Sequence, residues 1–168
     1  MNRPAANVVL FIGVVCLGAC RAPKEARVQS GPDMSHAITA LRGAYAAFNR
    51  GDMDAAVQSL DAQIDWTEPA EFPGGSRAYH GREEVKGYLT QSRAGWTEGS
   101  SEPEQFITAG DRIVVFVHAR FRLKGQSEWQ EVGLADVYTV RDAKIVQMRA
   151  FADRQEALRW VGIADVNR

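Results

Sequence analysis

The sequence has little cysteine. Its only two cysteines are Cys16 and Cys20, among 168 residues. From position 21 onward the chain can therefore form no disulfide and no thiolate-based metal site. The length suits one domain, and the 45% hydrophobic and 24% charged residues are typical of an ordinary globular protein.

Histidine is also scarce, and excess charge of one sign is absent. His36, His80 and His118 show no metal-ligand spacing, so we expect no metal site. The sequence contains no phosphate loop, dinucleotide fingerprint or Ser-His-Asp arrangement, and we expect no cofactor. Lys and Arg total 20 against 21 Asp and Glu, for a net charge of −1. The mixed charges exclude the clustered basic face of a nucleic-acid-binding protein.

Long hydrophobic runs are missing as well. The N-terminal apolar run, residues 5–17, is shorter than the ~20 residues that a spanning helix needs. Arg3 is the only charged residue before position 21. A basic start followed by a short apolar run predicts a signal peptide over residues 1–19.

The end of that run has a distinctive motif. Residues 17–20 read Leu-Gly-Ala-Cys, which resembles a bacterial lipobox and implies lipidation of Cys20. A plain secretory signal or an uncleaved anchor is the alternative. Residues 20–33 contain two prolines and a glycine without an apolar period, and we expect a tether. Lipidation would anchor the protein in the bacterial cell envelope, facing the periplasm. Arg21 in place of the Asp that retains lipoproteins resembles outer-membrane sorting.

The remainder, residues 34–164, predicts one α+β domain with the helices packed on one face of a curved, mostly antiparallel sheet. Apolar residues at Ile38, Leu41, Tyr45 and Phe48 indicate a first helix. A second helix is predicted to end near Leu60, and a strand follows to Glu68. The remaining predicted elements are a loop over 70–80, a helix over 82–92, strands near 103–109, 112–124, 128–140 and 143–151, and a helix over 154–161.

Three stretches of this domain resemble a known family. They are residues 46–54, residues 66–69 with 79–85, and residues 135–138 with 144–151. Together they resemble the nuclear transport factor 2-like cone fold, and within it the SnoaL-like and ketosteroid-isomerase-like proteins. The resemblance implies a cone-shaped domain that supplies a pocket, while enzymes, binding modules and assembly subunits all use this fold.

Two carboxylates lie on apolar sides of predicted strands. Glu68 shares a side with Trp66, and Asp136 shares a side with Tyr138. If these sides face the interior, burial raises both pKa values, which suits a general acid or a neutral hydrogen-bond donor. A solvent-facing strand end for Glu68, and pairing of Asp136 with an arginine on a neighbouring strand (Arg120, Arg122 or Arg149), are the alternatives.

The resemblance assigns roles to both acids. In ketosteroid isomerases, a carboxylate just before a proline at the end of the first strand moves a proton, which corresponds to Glu68. A protonated carboxyl, which corresponds to Asp136, and a tyrosine hold the developing oxyanion. The SnoaL-type cyclases also imply Asp136 as a proton shuttle. Counting back from Gly51 and Asp52 puts the tyrosine position on Ala44, one residue from Tyr45, and Tyr138 is a substitute from the sheet.

The sequence thus predicts Asp136 and Glu68 as catalytic candidates and a set of ligand-binding candidates. His118 lies either at the pocket mouth or on the outer sheet face. We expect a lipid-anchored binding module with a hydrophobic small-molecule pocket, with a proton-transferring isomerase or cyclase as the alternative. A hydrophobic small molecule or an envelope protein is the expected partner, and a homodimer is a further expectation. The ligand-binding candidates are Tyr45, Trp66, Tyr138 and His118.

Overall fold

The computed structural model of the protein describes residues 34–72 and 76–163. The predicted signal peptide, the lipidation site at Cys20 and the tether lie outside these residues. The described helices are α1 (Met34–Arg50), α2 (Met53–Ala56), α3 (Arg82–Ala94) and α4 (Arg154–Trp160). The strands are β1 (Leu60–Glu68), β2 (Arg77–His80), β3 (Trp96–Ala109), β4 (Arg112–Leu123), β5 (Trp129–Arg141) and β6 (Lys144–Phe151).

The first two helices are joined by a tight turn. Gly51 has a φ of +79°, a conformation that glycine adopts without a steric penalty. The Asp52 side chain then accepts a hydrogen bond from the Ala55 amide, which caps the start of α2. Helix α2 ends at Ala56 and β1 begins at Leu60, so the second helix is shorter than predicted.

The six strands form one sheet in the order β2-β1-β6-β5-β4-β3. Strands β3 to β6 form an antiparallel meander, β1 pairs in parallel with β6, and β2 pairs antiparallel with β1. The predicted α+β class with a mostly antiparallel sheet is confirmed. In the described parts of the chain, no helix is long and apolar enough to span a membrane.

Two segments differ from their predictions. Residues 77–80 form the edge strand β2 instead of continuing the predicted loop. Strand β3 begins at Trp96, before the predicted start near 103. Its pairing with β4 shifts register near both ends of the segment 96–105. A Cβ at Gly99, which has a φ of +133°, would collide with the backbone of Arg120 and Phe121, so the strand approaches β4 there in a way that requires glycine.

The two faces of the sheet have separate cores. On the inner face, helices α1 and α3 pack over residues such as Val115 and Val117, and this cluster also contains Leu41 and Val85. On the outer face, Ala157 and Leu158 of α4 pack in a second cluster with the strand residues Val114, Ala135, Val137 and Phe151. The predicted helix over 154–161 is therefore present, but it lies on the face opposite the other helices.

Candidate functional site

An apolar cavity of about 480 Å³ lies between the inner face of the sheet and helices α1 to α3. Every second residue of β5 from Gln130 to Tyr138 lines the cavity. This alternation follows from the two-residue period of a strand. At roughly 3.3 Å per residue, these positions extend over several turns of the facing helices. The cavity therefore has two distinct ends along β5.

Asp136 and Tyr138 are the last two residues of this row, at the end of the cavity that we call the inner end. The Asp136 side chain is 9% exposed, and its neighbours across the sheet are Val115 on β4 and Ala150 on β6. Burial raises the pKa of Asp136 to about 7, and the nearby Glu68 charge adds to the increase. Hydrogen bonds from Tyr45 and Tyr138 act in the opposite direction. The carboxyl therefore changes charge near neutral pH.

Two tyrosine hydroxyls hold the Asp136 carboxyl. The Tyr45 hydroxyl donates to Asp136 Oδ2 at 2.5 Å, and the Tyr45 and Tyr138 hydroxyl oxygens are 3.0 Å apart. The Tyr138 hydroxyl lies 3.5 Å from the same Oδ2. Burial and the adjacent Asp136 carboxyl raise the pKa of both tyrosines, so each remains a neutral donor.

The tyrosine that the first helix contributes to the site is therefore Tyr45. The count from the turn put this position on Ala44, and the structure corrects it by one residue. Both residues line the cavity. Neighbouring helical residues differ by about 100° in direction, and the cavity is wide enough to include both. The count from the turn allowed only one residue of α1 to face the cavity, whereas two neighbouring residues do.

Glu68 lies in the same cavity, at the end of β1. It is 6% exposed, which excludes the alternative of a solvent-facing strand end. The Trp66 indole N–H donates to Glu68 Oε1 at 2.6 Å. Burial raises the pKa of Glu68, while hydrogen bonding from Trp66 and Tyr88 lowers it. Trp66 and Tyr138 make an edge contact with ring centroids 6.4 Å apart, which joins the two acidic groups into one polar end.

The sequence pattern did not identify Tyr88 as a site residue. It lies on α3, lines the cavity and acts on the Glu68 carboxyl through its hydroxyl. Its position three residues after the buried Val85 was the available indication, because residues three apart on a helix share a face.

The other end of the cavity is aromatic. Trp96 stacks on Phe121 with ring centroids 4.5 Å apart and an interplanar angle of 3°. Phe48 contacts Trp96 edge-on at 5.5 Å. All three side chains line the cavity, so one cavity combines a polar inner end with flat apolar walls. Trp96 was missed because β3 was predicted to begin later.

His118 lies outside this cavity. The cavity is lined by its neighbour Ala119, and strand alternation directs His118 to the opposite face. There the imidazole Nε2 lies 3.7 Å from Glu131, and the side chain is 41% exposed. Of the two predicted places for His118, the structure gives the outer sheet face, and the pocket-mouth placement is corrected.

The arginines considered as partners for Asp136 also lie on the outer face. Arg120 pairs with Glu131 at 3.0 Å, Arg122 pairs with Glu98, and the Arg149 guanidinium lies over the Phe151 ring. The partners of Asp136 are the tyrosines. Among residues 34–72 and 76–163, no group of three or more His, Cys, Asp and Glu side chains is arranged to hold a metal ion.

Comparison with known families gives a match over most of this domain. A family model described as a SnoaL-like domain matches residues 41–148. This segment includes Tyr45, Glu68, Tyr88, Asp136 and Tyr138. No curated protein matches the chain.

Solved structures with the same fold come from several bacteria. A nuclear transport factor 2-like protein of unknown function from Burkholderia pseudomallei has a TM-score of 0.62 and 24% identity, covering 76% of this chain and 98% of its own. A hypothetical protein with a ketosteroid isomerase-like fold from Catenulispora acidiphila, in complex with trimethylamine, has a TM-score of 0.60 and 18% identity, covering 80% and 96%.

A third relative is an enzyme. An LEH-like epoxide hydrolase from M. tuberculosis has a TM-score of 0.56 and 16% identity, covering 69% of this chain and 81% of its own. These likenesses establish the fold. They leave the reaction open, because proteins of unlike function share it.

Proposed function

Because this chain belongs to the SnoaL-like domain family, whose fold encloses a cavity without prescribing a reaction, we propose that it is a small-molecule-binding protein. The ligand's apolar body lies along the aromatic walls, and its polar end meets Asp136. One observation carries this proposal: a buried carboxyl held by the Tyr45 and Tyr138 hydroxyls at the inner end of a 480 Å³ apolar cavity.

This arrangement costs stability in two ways. A buried ionisable carboxyl destabilises a fold unless its hydrogen bonds are satisfied. An empty apolar cavity also forfeits packing energy. A buried carboxyl next to an empty apolar cavity is typical of a binding or active site, where a ligand makes use of features that lower the stability of the free protein.

A fused-ring probe tests the proposal. We expect naphthylmethanol to bind the purified full-length protein, detected by calorimetry, and to protect the indole groups of Trp66 and Trp96 from an external fluorescence quencher. Failure to bind at concentrations up to about 1 mM, the range of weak small-ligand affinity, would contradict the proposal.

Export and lipid anchoring form a separate part of the proposed function. The lipobox-like motif that ends at Cys20 supports it, since acyl chains would fix the domain at a membrane surface. In a bacterial host, the wild-type protein is expected in the membrane fraction, while Cys20→Ala is expected in the soluble fraction. Equal partitioning of both forms would remove Cys20 from the anchoring mechanism.

A proton-transferring enzyme is the second candidate, and the raised pKa of Glu68 favours it. Ionised Glu68 would take a proton from the carbon beside a ligand carbonyl, and the C–H electron pair would form the enolate. Protonated Asp136 would donate a hydrogen bond to the enolate oxygen. Return of the proton to another carbon would complete an isomerisation.

Solvent deuterium exchange separates the two candidates. An enzyme would accelerate exchange at the carbon beside the carbonyl of 1-tetralone, followed by NMR in D₂O, and Glu68→Gln would abolish the acceleration. A binding module would leave the rate equal to that in buffer. This assay requires no knowledge of the natural substrate.

A further inference from the structure

In the described part of the chain, the polar end of the cavity contains two buried acids and no buried base. Among the described residues, the charged side chains that line the cavity are Glu68, Asp136 and Arg77. The two carboxyls are 6% and 9% exposed, whereas Arg77 is exposed. The inner end therefore becomes negative whenever either acid ionises, and no buried base among residues 34–72 and 76–163 balances that charge.

The hydrogen-bond donors at this end already have partners. The Tyr45 hydroxyl donates to Asp136, and the Trp66 N–H donates to Glu68. Tyr138 shares its hydroxyl proton with Tyr45 or Asp136, and Tyr88 directs its hydroxyl to Glu68. Both hydrogen bonds to the Asp136 carboxyl end on Oδ2, and Oδ1 accepts none from the described part of the chain. The group thus offers acceptors to a ligand.

Aromatic rings surround the same acids. Trp66, Tyr138, Tyr45 and Tyr88 line this end of the cavity, and the Trp66 and Tyr138 rings meet edge to face. Ring faces attract cations, and they do so most strongly where water is excluded. An anion at this end would lie beside two carboxyls and several aromatic rings, and both kinds of neighbour would make its burial unfavourable.

We propose that the ligand of this cavity is an organic amine, whose ammonium group lies between Glu68 and Asp136 and whose apolar body lies against Trp96 and Phe121. This inference rests on the proposed binding function and names its ligand class. The ammonium supplies the donors that the inner end lacks, and it neutralises the carboxyl charge that burial otherwise disfavours.

Proton linkage follows from this arrangement. Burial raises the pKa of Asp136 to about 7, so an ammonium that binds its ionised form displaces a proton below that pH. The titratable and charged groups around Asp136 are Tyr45 from α1, Tyr138 from β5, Glu68 from β1 and Tyr88 from α3, with the exposed Arg77 on β2. Both tyrosines bonded to Asp136 have a raised pKa, which leaves Asp136 as the group whose pKa lies near neutrality, while burial also raises the pKa of Glu68.

Three probes with one ring system test the ligand class. Naphthylmethylamine, naphthylmethanol and naphthoate differ only in the charge and donors of the polar end. We expect the amine to bind the full-length protein at least ~10-fold more tightly than the alcohol at about pH 8, with naphthoate weakest. Amine affinity should rise with pH by up to ~10-fold per unit below about pH 7, whereas alcohol affinity should fall or stay constant.

Isosteric variants locate the charge. Asp136→Asn and Glu68→Gln should each lower amine affinity at least ~10-fold and change alcohol affinity less than ~3-fold. His118→Gln is the matched control, because it removes a 41% exposed imidazole from the opposite face of the sheet. Calorimetry of the wild-type protein in two buffers of different ionisation enthalpy should show proton release with the amine at about pH 6. This measurement does not depend on whether the variants fold.

The possible results distinguish failure of the amine assignment from failure of the proposed binding function. Equal or tighter binding of the alcohol or naphthoate, or amine binding without proton release, would overturn the amine assignment and leave the cavity's binding function standing. If none of the three compounds binds, both proposals fail. Amine selectivity that is lost in the two acid variants and kept in His118→Gln would support the assignment.

Discussion

The two faces of one sheet use the same strands for different purposes. On the outer face, α4 closes over a packed cluster that contains Val114 and Val137. On the inner face, the adjacent positions Asp136 and Tyr138 line the wall of a cavity. From Ala135 to Tyr138, successive side chains of β5 therefore alternate between the packed outer cluster and the cavity wall. The packing of α4 on the outer face contributes stability that offsets the cost of burying two acids on the inner face.

The largest expected effect breaks the packed face. Leu158 on α4 is 3% exposed, and Leu158→Ala should lower the free energy of unfolding by about 3 kcal/mol, because it opens an enclosed void. Leu134→Ala, at a half-buried cavity wall, should cost about 1 kcal/mol, because that side chain already borders empty space. Urea unfolding measures both. Equal losses would contradict the division between a packed face and an open face.

The next largest effect is the pH dependence of the unfolding free energy that results from the burial of Asp136. The folded pKa of Asp136, about 7, lies above its ordinary value, so the folded state keeps a proton that the unfolded chain releases. This contribution to stability is fully present at acid pH and is lost as the pH rises through 7. The unfolding free energy of the wild type minus that of Asp136→Asn should therefore fall by about 2 kcal/mol between about pH 5 and pH 7.

Asp111→Asn is the control for this titration. Asp111 is an exposed residue in the turn before β4, and its variant should follow the wild-type curve. Since burial also raises the pKa of Glu68, its contribution has the same sign, and the subtraction isolates the part that depends on Asp136. A difference that grows with pH would mean that Asp136 is stabilised in its charged form.

A smaller effect tests the open face by filling it. Ala44 lines the cavity, and Ala44→Trp should lower the affinity for naphthylmethanol at least ~10-fold, equivalent to about 1.4 kcal/mol. Ala46→Trp places the same side chain on the exposed side of α1 and should leave affinity unchanged. Calorimetry measures both variants. Unchanged affinity in Ala44→Trp would place the binding site elsewhere.

The smallest effect concerns the surface next to the packed face. Trp129 is 39% exposed, and the Arg120 guanidinium lies 3.9 Å from its ring centroid. Trp129→Leu should lower the unfolding free energy by only about 0.5–1 kcal/mol, as is typical of an exposed cation–π contact, and should leave ligand affinity unchanged. A loss above about 2 kcal/mol would mean that this patch has a structural role.

The sequence predicted the strands better than it predicted their surroundings. Alternation along β5 and β1 indicated that Asp136 and Glu68 lie on apolar sides, since a period of two is read directly from the chain. The same reasoning left Glu68 open to solvent as an alternative, because the helix that covers it comes later in the chain. Which side α4 takes was equally hidden: a helix of seven residues has too few apolar positions to indicate a face.

The features that the sequence did not predict have related causes. Strand β2 has only four residues, and a segment that short carries little strand pattern. Tyr88 became part of the site through α3 packing, and Trp96 through the early start of β3. Tyr45 and Ala44 both reach the cavity, which only the width of the space reveals. Tertiary packing, absent from local pattern, decided each case.

The parallel pairing of β1 with β6 affects the order in which the site is assembled. Strands β3 to β6 are joined by short turns and can form from contacts near in sequence, whereas β1 must close a long loop to reach β6. Glu68 and Tyr45 thus meet Asp136 only after the N-terminal half docks. We expect deuterium to exchange from the amides of β1 before those of β4, and the reverse order would contradict this. The acid pair would then exist only in the completed fold, so a partly folded chain has no ligand site.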